Sequence, residues 1–466
     1  MQDNLTTQSS HAENVRSLAT VLFDRTRQLH NLTDDSRHVL EAAALLVDQS
    51  FTVQSAVQEE RAAPQKKKKL HNAARSLVET LSAQELTLEE QTILAAVIVL
   101  HQRYKEGAEN RGGKKRRDKK KDARYFDLSP AKQRETHTIA ALLRISEGLD
   151  ASQTGSTSIQ SIVPTRQGMW VIVDGQQADS DARAAQAGTG LWAEIGYPPL
   201  IFLNPEEAAQ KILPYPSPDE KIALSPTEPL AEAARKIMRY HFAQMLKHEP
   251  GTRLGEDIEA LHDMRVATRR MRAAFDVFKD AFEPGALKPH LKGLRATGRA
   301  LGAVRDLDVF IEKANLYLQM LPEGQHEDLT PLTQAWEAQR EQARGQMLAF
   351  LDSNAYAIFK HEYNTFLLTP GAGALPLPDG QIAANRVCEL APVLIYTRLA
   401  AVLAFDAHLD DAPIERLHAL RIEFKKLRYT IEYFREVLGP QAQEIIEELK
   451  MLQDHLGDLN DAHLAT

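Results

Sequence analysis

Only one cysteine, Cys388, stands in the 466 residues, which excludes an intramolecular disulfide and fits a reducing compartment. Aromatic residues make up just 6% of the sequence, so apolar burial must come mainly from Ala, Leu, Ile and Val, as in a mainly helical protein. Long apolar runs are missing too. The stretch 93–100, ILAAVIVL, falls well short of the roughly 20 residues a spanning helix needs. The opening MQDNLTTQSSHAENVR has no apolar core of the signal-peptide type. A cytoplasmic protein with no membrane partner is the expectation. Net positive charge is also absent, the formal balance being −8. Residues 225–466 carry 28 Lys and Arg against 35 Asp and Glu, a net −7, which leaves 28 against 29 for residues 1–224. A general attraction for polyanions is thereby excluded. Any anion site must come from segregated charge, with acids such as those of 406–411 and 444–448 kept to other faces.

The length allows two or three domains, each with its own core. Apolar spacing from Val15 through Leu18, Ala19, Leu22 and Leu29 predicts an amphipathic helix over 13–32. Asp34-Asp35-Ser36 predicts a turn and N-cap before a helix over 37–47. Another helix should open at 66–69, and Thr87-x-x-Glu90 is a capping box for one over 85–100. Residues 111–124 hold nine Lys or Arg against two Asp and read as a mobile loop. Ser129-Pro130 caps the next helix, which runs to Leu149. The period then changes to strands at 158–163 and 169–173, a helix over 180–195 and a third strand at 199–203. Prolines 214, 216, 218, 226 and 229 mark a linker, and the Pro- and Gly-rich stretch 369–380 a second one.

The stretch that organises the rest is 261–278, LHDMRVATRRMRAAFDVF. On a helix with His262 at zero, Arg265, Arg269 and Arg272 fall at about 300°, 340° and 280°. Met264, Ala267, Met271, Ala274, Phe275 and Phe278 fall on the opposite side, and Arg270 sits apart near 80°. Residues 417–434, LHALRIEFKKLRYTIEYF, repeat the pattern. There His418, Arg421, Lys425, Lys426 and Arg428 stand 156 positions after His262, Arg265, Arg269, Arg270 and Arg272. A second block is echoed as well: Arg295-x5-Leu301-Gly302-x-Val304-Arg305-Asp306 returns as Lys450-x5-Leu456-Gly457-x-Leu459-Asn460-Asp461. This is an internal duplication, which predicts two similar helical units facing each other about a pseudo-twofold. Like charges at i,i+4 on one narrow face cost stability unless something neutralises them, and the same costly array occurs twice. An anion-binding face is the expectation, with a solvated basic surface as the plain alternative.

The motif H-x2-R-x3-[RK]-[RK]-x-R, followed by a basic helix and an L-G-x-[VL]-x-D turn, resembles the CHAD domain from about residue 228 to 466. The resemblance implies two four-helix halves, about 228–365 and 383–466, lining a basic channel that binds inorganic polyphosphate, with polyphosphate granules or polyphosphate-metabolising enzymes as the expected partners. Carried onto this sequence, the binding set is His262, Arg265, Arg269, Arg270, Arg272, Lys292, Arg295, Arg299, Arg305, His418, Arg421, Lys425, Lys426, Arg428 and Lys450. Two positions depart from the repeat: Arg299 and Arg305 become Asp454 and Asn460 in the second half. The first half is also expected to continue into another helix over 309–321.

The segments LFDRTRQLHNL, EAAALLVD, LAAVIVLHQRYK, IAALLRISEGLDAS and GLWAEIGYPPLIF resemble the C-terminal half of the exopolyphosphatase and guanosine-pentaphosphate phosphohydrolase (Ppx/GppA) family. That implies an HD-like helical domain over 1–155 and a small α/β unit over 156–212, joined by a linker at 213–227 to the duplicated bundle. The fold class expected is mainly α. No Gly-rich phosphate loop of that family's catalytic domains is present. An HD-type metal site would use His11, Asp48 and Asp150, but Val47 occupies the intervening histidine position and cannot ligate. His71 and His101 lie outside that set. The reading is a non-enzymatic binder without metal or cofactor. The alternatives are a metal-dependent phosphohydrolase and a binder of nucleic acid or acidic protein, the nucleic acid being disfavoured for want of aromatics on the basic face.

Overall fold

The computed structural model describes residues 2–47, 86–109, 128–320, 330–376, 384–406, 409 and 412–464. Asp48, His71, the helix expected at 66–69 and the basic stretch 111–124 lie outside them, as does part of the second linker. The chain divides into two compact units, Met1–Lys211 and Ile212–Thr466.

The first unit contains α1 (Gln2–His30), α2 (Asp34–Leu45), α3 (Leu88–Glu109), α4 (Pro130–Gly148), β1 (Ser158–Thr165), β2 (Gly168–Asp174), α5 (Ala178–Gly188), α6 (Gly190–Ile195), β3 (Leu200–Leu203) and α7 (Pro205–Lys211). Helix α4 is its centre, because Thr136, Thr138 and the run 139–143 leave it buried nearly all round. The Ser129 hydroxyl accepts from the Lys132 amide and Pro130 fills the first turn. Thr87 and Glu90 form the expected capping box, each side chain accepting from the other's amide. Two expectations need correction. Helix α2 begins at Asp34, so its acids lie in the first turn, where the helix dipole favours them, and do not form a preceding turn. The segment 180–195 is two helices, broken at Thr189, which lets Leu191 and Trp192 turn into the core while the indole N–H donates to Pro198 O at 2.7 Å. The sheet order is β1-β2-β3: a hairpin at Arg166-Gln167, then a parallel pairing of β2 with β3 after the α5–α6 crossover.

The second unit holds α8 (Leu230–Leu254), α9 (Ile258–Phe278), α10 (Lys288–Met320), α11 (Thr330–Leu351), α12 (Asn354–Leu368), α13 (Val387–Leu403), α14 (Ile414–Leu438) and α15 (Gln441–Leu464). The duplicated motifs occupy α9 and α14, and the second blocks fall on α10 and α15. Among the described residues this gives five helices before the second linker and three after it. The helix expected over 309–321 is not separate, because α10 runs unbroken through it.

The two repeats meet at two places where corresponding elements touch. Pro229 and Arg386, which precede α8 and α13, pair as an antiparallel bridge, with Leu230 N donating to Asn385 O and Val387 N to Glu228 O. Phe278 and its counterpart Phe434 pack edge to face, centroids 5.6 Å apart. Met264, Met271, Phe275 and Phe278 are buried together with Tyr433 and Phe434 in one core, so the apolar face of α9 does what its spacing implies. Among the described residues no helix is long and apolar enough to cross a membrane.

Candidate functional site: the paired basic face

Burying the Met and Phe stripe of α9 turns His262, Arg265, Arg269 and Arg272 the other way, and α14 does the same with His418, Arg421, Lys425 and Arg428. The two rows come together at Lys425. Burial, together with Arg421, Arg269 and Arg428, pushes its ammonium down to about 8. Arg269 belongs to α9 and the other two to α14, so cations of both repeats share one field. A second cluster lies toward α10, where burial, Arg295 and Arg299 lower the Arg272 guanidinium. Lys292, Arg295 and Arg299 are exposed on that helix, and Lys450 is exposed on α15. Among the described residues, no carboxylate forms an ion pair with Arg269, Arg272, Lys292, Arg295, Arg299, Arg305, Lys425 or Lys450. Arg305 also has one buried guanidinium nitrogen, Nη1, without a hydrogen-bond partner. His262 is half-buried and His418 exposed.

The Leu-Gly pair of the second block has a physical reason. Arg265 lies across Gly302, where an added Cβ would sit 3.8 Å from its Nε, and donates to Asp306 at 3.1 Å. Its counterpart Arg421 lies across Gly457, where a Cβ would come within 3.0 Å of Nη2, and donates to Gln453 O at 3.2 Å. A side chain at Gly457 would press on the Arg421 guanidinium, whereas at Gly302 a Cβ would only touch that of Arg265.

Three residues of the expected set, Arg270, Arg428 and Lys426, face other work. Arg270 donates to Glu432 of α14, and Arg428 donates to the other oxygen of the same carboxylate at 2.7 Å. The ring of Tyr429 lies between them, 5.2 Å from the Arg270 guanidinium and 4.9 Å from that of Arg428. Tyr433 Oη donates to Arg270 O at 2.7 Å. This cluster locks α9 to α14. Lys426 pairs with Glu423 at 2.6 Å, one turn back on its own helix. Sequence reasoning missed Glu432 and Tyr429. The signal available was the i,i+4 spacing of Glu432 from Arg428.

In the first unit, His11 Nδ1 and Asp150 Oδ2 lie 2.7 Å apart, both buried, and Asp150 Oδ1 accepts from Gly155 N at 2.9 Å. Two of the positions expected for a metal are thus bonded to one another. Val47 is packed in the core, and His101 pairs with Glu147 at 2.8 Å. Among the described residues no group of three or more His, Cys, Asp or Glu is placed to hold a metal ion.

The family model of the CHAD domain matches residues 236–466. Two curated relatives, uncharacterized proteins from two strains of Mycobacterium tuberculosis, are each 26% identical over 246 residues, covering 50% of this chain and 44% of the relative. The match therefore covers less than half of those proteins. The crystal structure of the CHAD domain from the plant Ricinus communis is similar at 22% identity and a TM-score of 0.41, over 53% of this chain and 80% of that one. PptA from Streptomyces chartreusis is similar at 16% identity and a TM-score of 0.37, over 48% and 81%. On the family match and the duplicated helices that carry it, residues 236–466 are a CHAD domain.

Proposed function

We propose that the CHAD domain binds inorganic polyphosphate without catalysis and associates the protein with polyphosphate granules or polyphosphate-metabolising enzymes. The observation that carries this reading is the clustering of Arg269 and Lys425, cations of two repeats close enough to act on one another, neither of which forms an ion pair with a carboxylate among the described residues. A polyphosphate chain offers closely spaced charge and no base, so donors alone suffice, and Arg suits two-point contact with each phosphate. Sites for single-stranded nucleic acid add exposed rings for stacking. Here Phe275, Phe278 and Phe434 are buried, Phe424, expected on the same face, is only half-buried against a smaller core, and Tyr429 is enclosed by Arg270 and Arg428. Competition between long polyphosphate and single-stranded DNA at fixed salt separates the two ligands.

The first unit, on this reading, is a relative of the C-terminal half of the exopolyphosphatase and guanosine-pentaphosphate phosphohydrolase family whose HD-type site has lost its chemistry. The mutual bond of His11 and Asp150 and the apolar Val47 support that view. A phosphohydrolase assay with added manganese is expected to be blank, and manganese-dependent release of phosphate would reverse this reading.

Binding should release condensed counterions, so log affinity falls linearly with log salt. With about six to ten phosphate contacts, at roughly 0.7 each as for single-stranded nucleic acid, the slope should lie near −4 to −7. A slope near zero, read by titration calorimetry, would mean that this charge array is only a solvated face.

Lys425 adds a dependence on pH. Its depressed pKa means that the free protein sheds this charge near pH 8, whereas a bound polyanion favours the charged form and raises the pKa again. Binding above pH 8 therefore takes up a proton, and affinity falls as pH rises, by at most about tenfold per unit. The stability of the free protein moves the other way through the Lys425 contribution, rising between pH 8 and the ordinary lysine value of 10.5, where the unfolded chain holds more protons. Lys425→Arg should remove the loss of affinity. An unchanged pH profile in that variant would assign the effect to another group.

A further inference from the structure

The two repeats carry matching arginines, yet the structure leaves them in unequal company. Arg272 and Arg428 are equivalent, and each has an acid one turn on, Asp276 and Glu432. Glu432 accepts from Arg428 at 2.7 Å and also binds Arg270. Asp276 does not pair with Arg272. It accepts instead from Nη2 of Arg398, on α13, at 2.7 Å. The difference continues on the next helices. Arg272 reaches over Gly298, its Nη1 3.7 Å from where a Cβ would sit, beside the exposed Arg295 and Arg299, and among the described residues none of the three pairs with an acid. The matching positions in the second repeat are Arg428, Lys450 and Asp454, with Asp454 exposed on α15.

We propose that a polyphosphate chain is anchored at the Arg272, Arg295 and Arg299 side of the face, and that Arg398 is a positioning residue that keeps this anchor open by holding Asp276. This rests on the reading of the face as a polyphosphate site. The physical argument is a competition for one carboxylate. An acid at i+4 is within reach of an arginine side chain on a helix, so Asp276 without Arg398 would turn to Arg272 and cancel part of the anchor. Arg398 supplies a nearer cation from another helix and leaves Arg272 for the ligand. In the second repeat Glu432 binds Arg270 with one oxygen and still holds Arg428 with the other, and Asp454 repels an anion where Arg299 attracts one. The first repeat is then the strong subsite and the second a weak extension, so a short phosphate chain needs only one end of the face.

Titration calorimetry of the intact protein with tripolyphosphate and with long-chain polyphosphate tests this. The wild type should bind tripolyphosphate at a single site. Arg398→Ala should weaken tripolyphosphate by about tenfold, the worth of one charged contact. Adding Asp276→Asn to Arg398→Ala should restore the wild-type value to within about twofold, because the competing carboxylate is gone. A purely structural role for the Asp276–Arg398 pair predicts the opposite, since the double variant lacks the pair just as the single variant does. Asp454→Arg should strengthen long-chain binding by about tenfold, again one charged contact. Unchanged tripolyphosphate affinity in Arg398→Ala, a double variant as weak as the single, or two equal tripolyphosphate sites in the wild type would each overturn the proposal while leaving polyphosphate binding intact. A wild type that binds neither probe would overturn both.

Discussion

Arg269→Glu combined with Lys425→Glu abolishes polyphosphate binding and leaves the helical circular dichroism unchanged. At these two residues the two rows of cations act on one another, so the pair removes one contact from each row and replaces both with repulsion. Each lost charged contact is worth about 1.5–3 kcal/mol, so two together should cost between about a hundredfold and ten-thousandfold before repulsion is added. The fold should tolerate the change. Arg269 is exposed, and Lys425 is opposed by Arg421 and Arg428 on its own helix, which would welcome a carboxylate. A folded double variant with wild-type affinity, read by calorimetry beside its dichroism spectrum, would remove the face from the account of binding.

Glu432→Gln should have the largest effect on stability. Arg270 and Arg428 share that carboxylate, whose side chain is 14% exposed, and burial opposes the charge on Arg270 while Glu432 sustains it. Removing one partner of a wholly buried pair costs about 3–5 kcal/mol. Arg270 keeps 26% of its side-chain exposure, so water offsets part of that and about 2–3 kcal/mol is the expected loss in urea unfolding. The loss falls on the contact between α9 and α14, so the two rows should also lose their register. A change inside the roughly 0.5 kcal/mol scatter of surface substitutions would mean that the cluster is not what locks the helices.

What the sequence made legible was whatever depends on period and repetition. A 100° step separates Arg265, Arg269 and Arg272 from Met264, Met271 and Phe275, and the structure buries the second group. The repeat offset paired Phe278 with Phe434, which touch. Local caps were legible for the same reason, as at Thr87-Glu90 and Ser129-Pro130, because each is settled within four residues. The choice of partner was not legible. Asp276 and Glu432 bear the same spacing to their arginines, and only the arrival of Arg398 from another helix sends one of them elsewhere. Arg270 reads as one more cation until Glu432 and Tyr429 are brought up against it. The break at Thr189 was hidden too, since Leu191 and Trp192 fit a continuing helix by composition and leave it to fill the core.

The most direct measurement is a crystal structure of the intact protein grown with polyphosphate. Phosphate oxygens are predicted within hydrogen-bond reach of Arg269, Arg272 and Lys425, roughly 2.7–2.9 Å from their nitrogens, with the chain lying across both repeats. A polyphosphate chain bound elsewhere, with these three side chains left to solvent, would contradict the account.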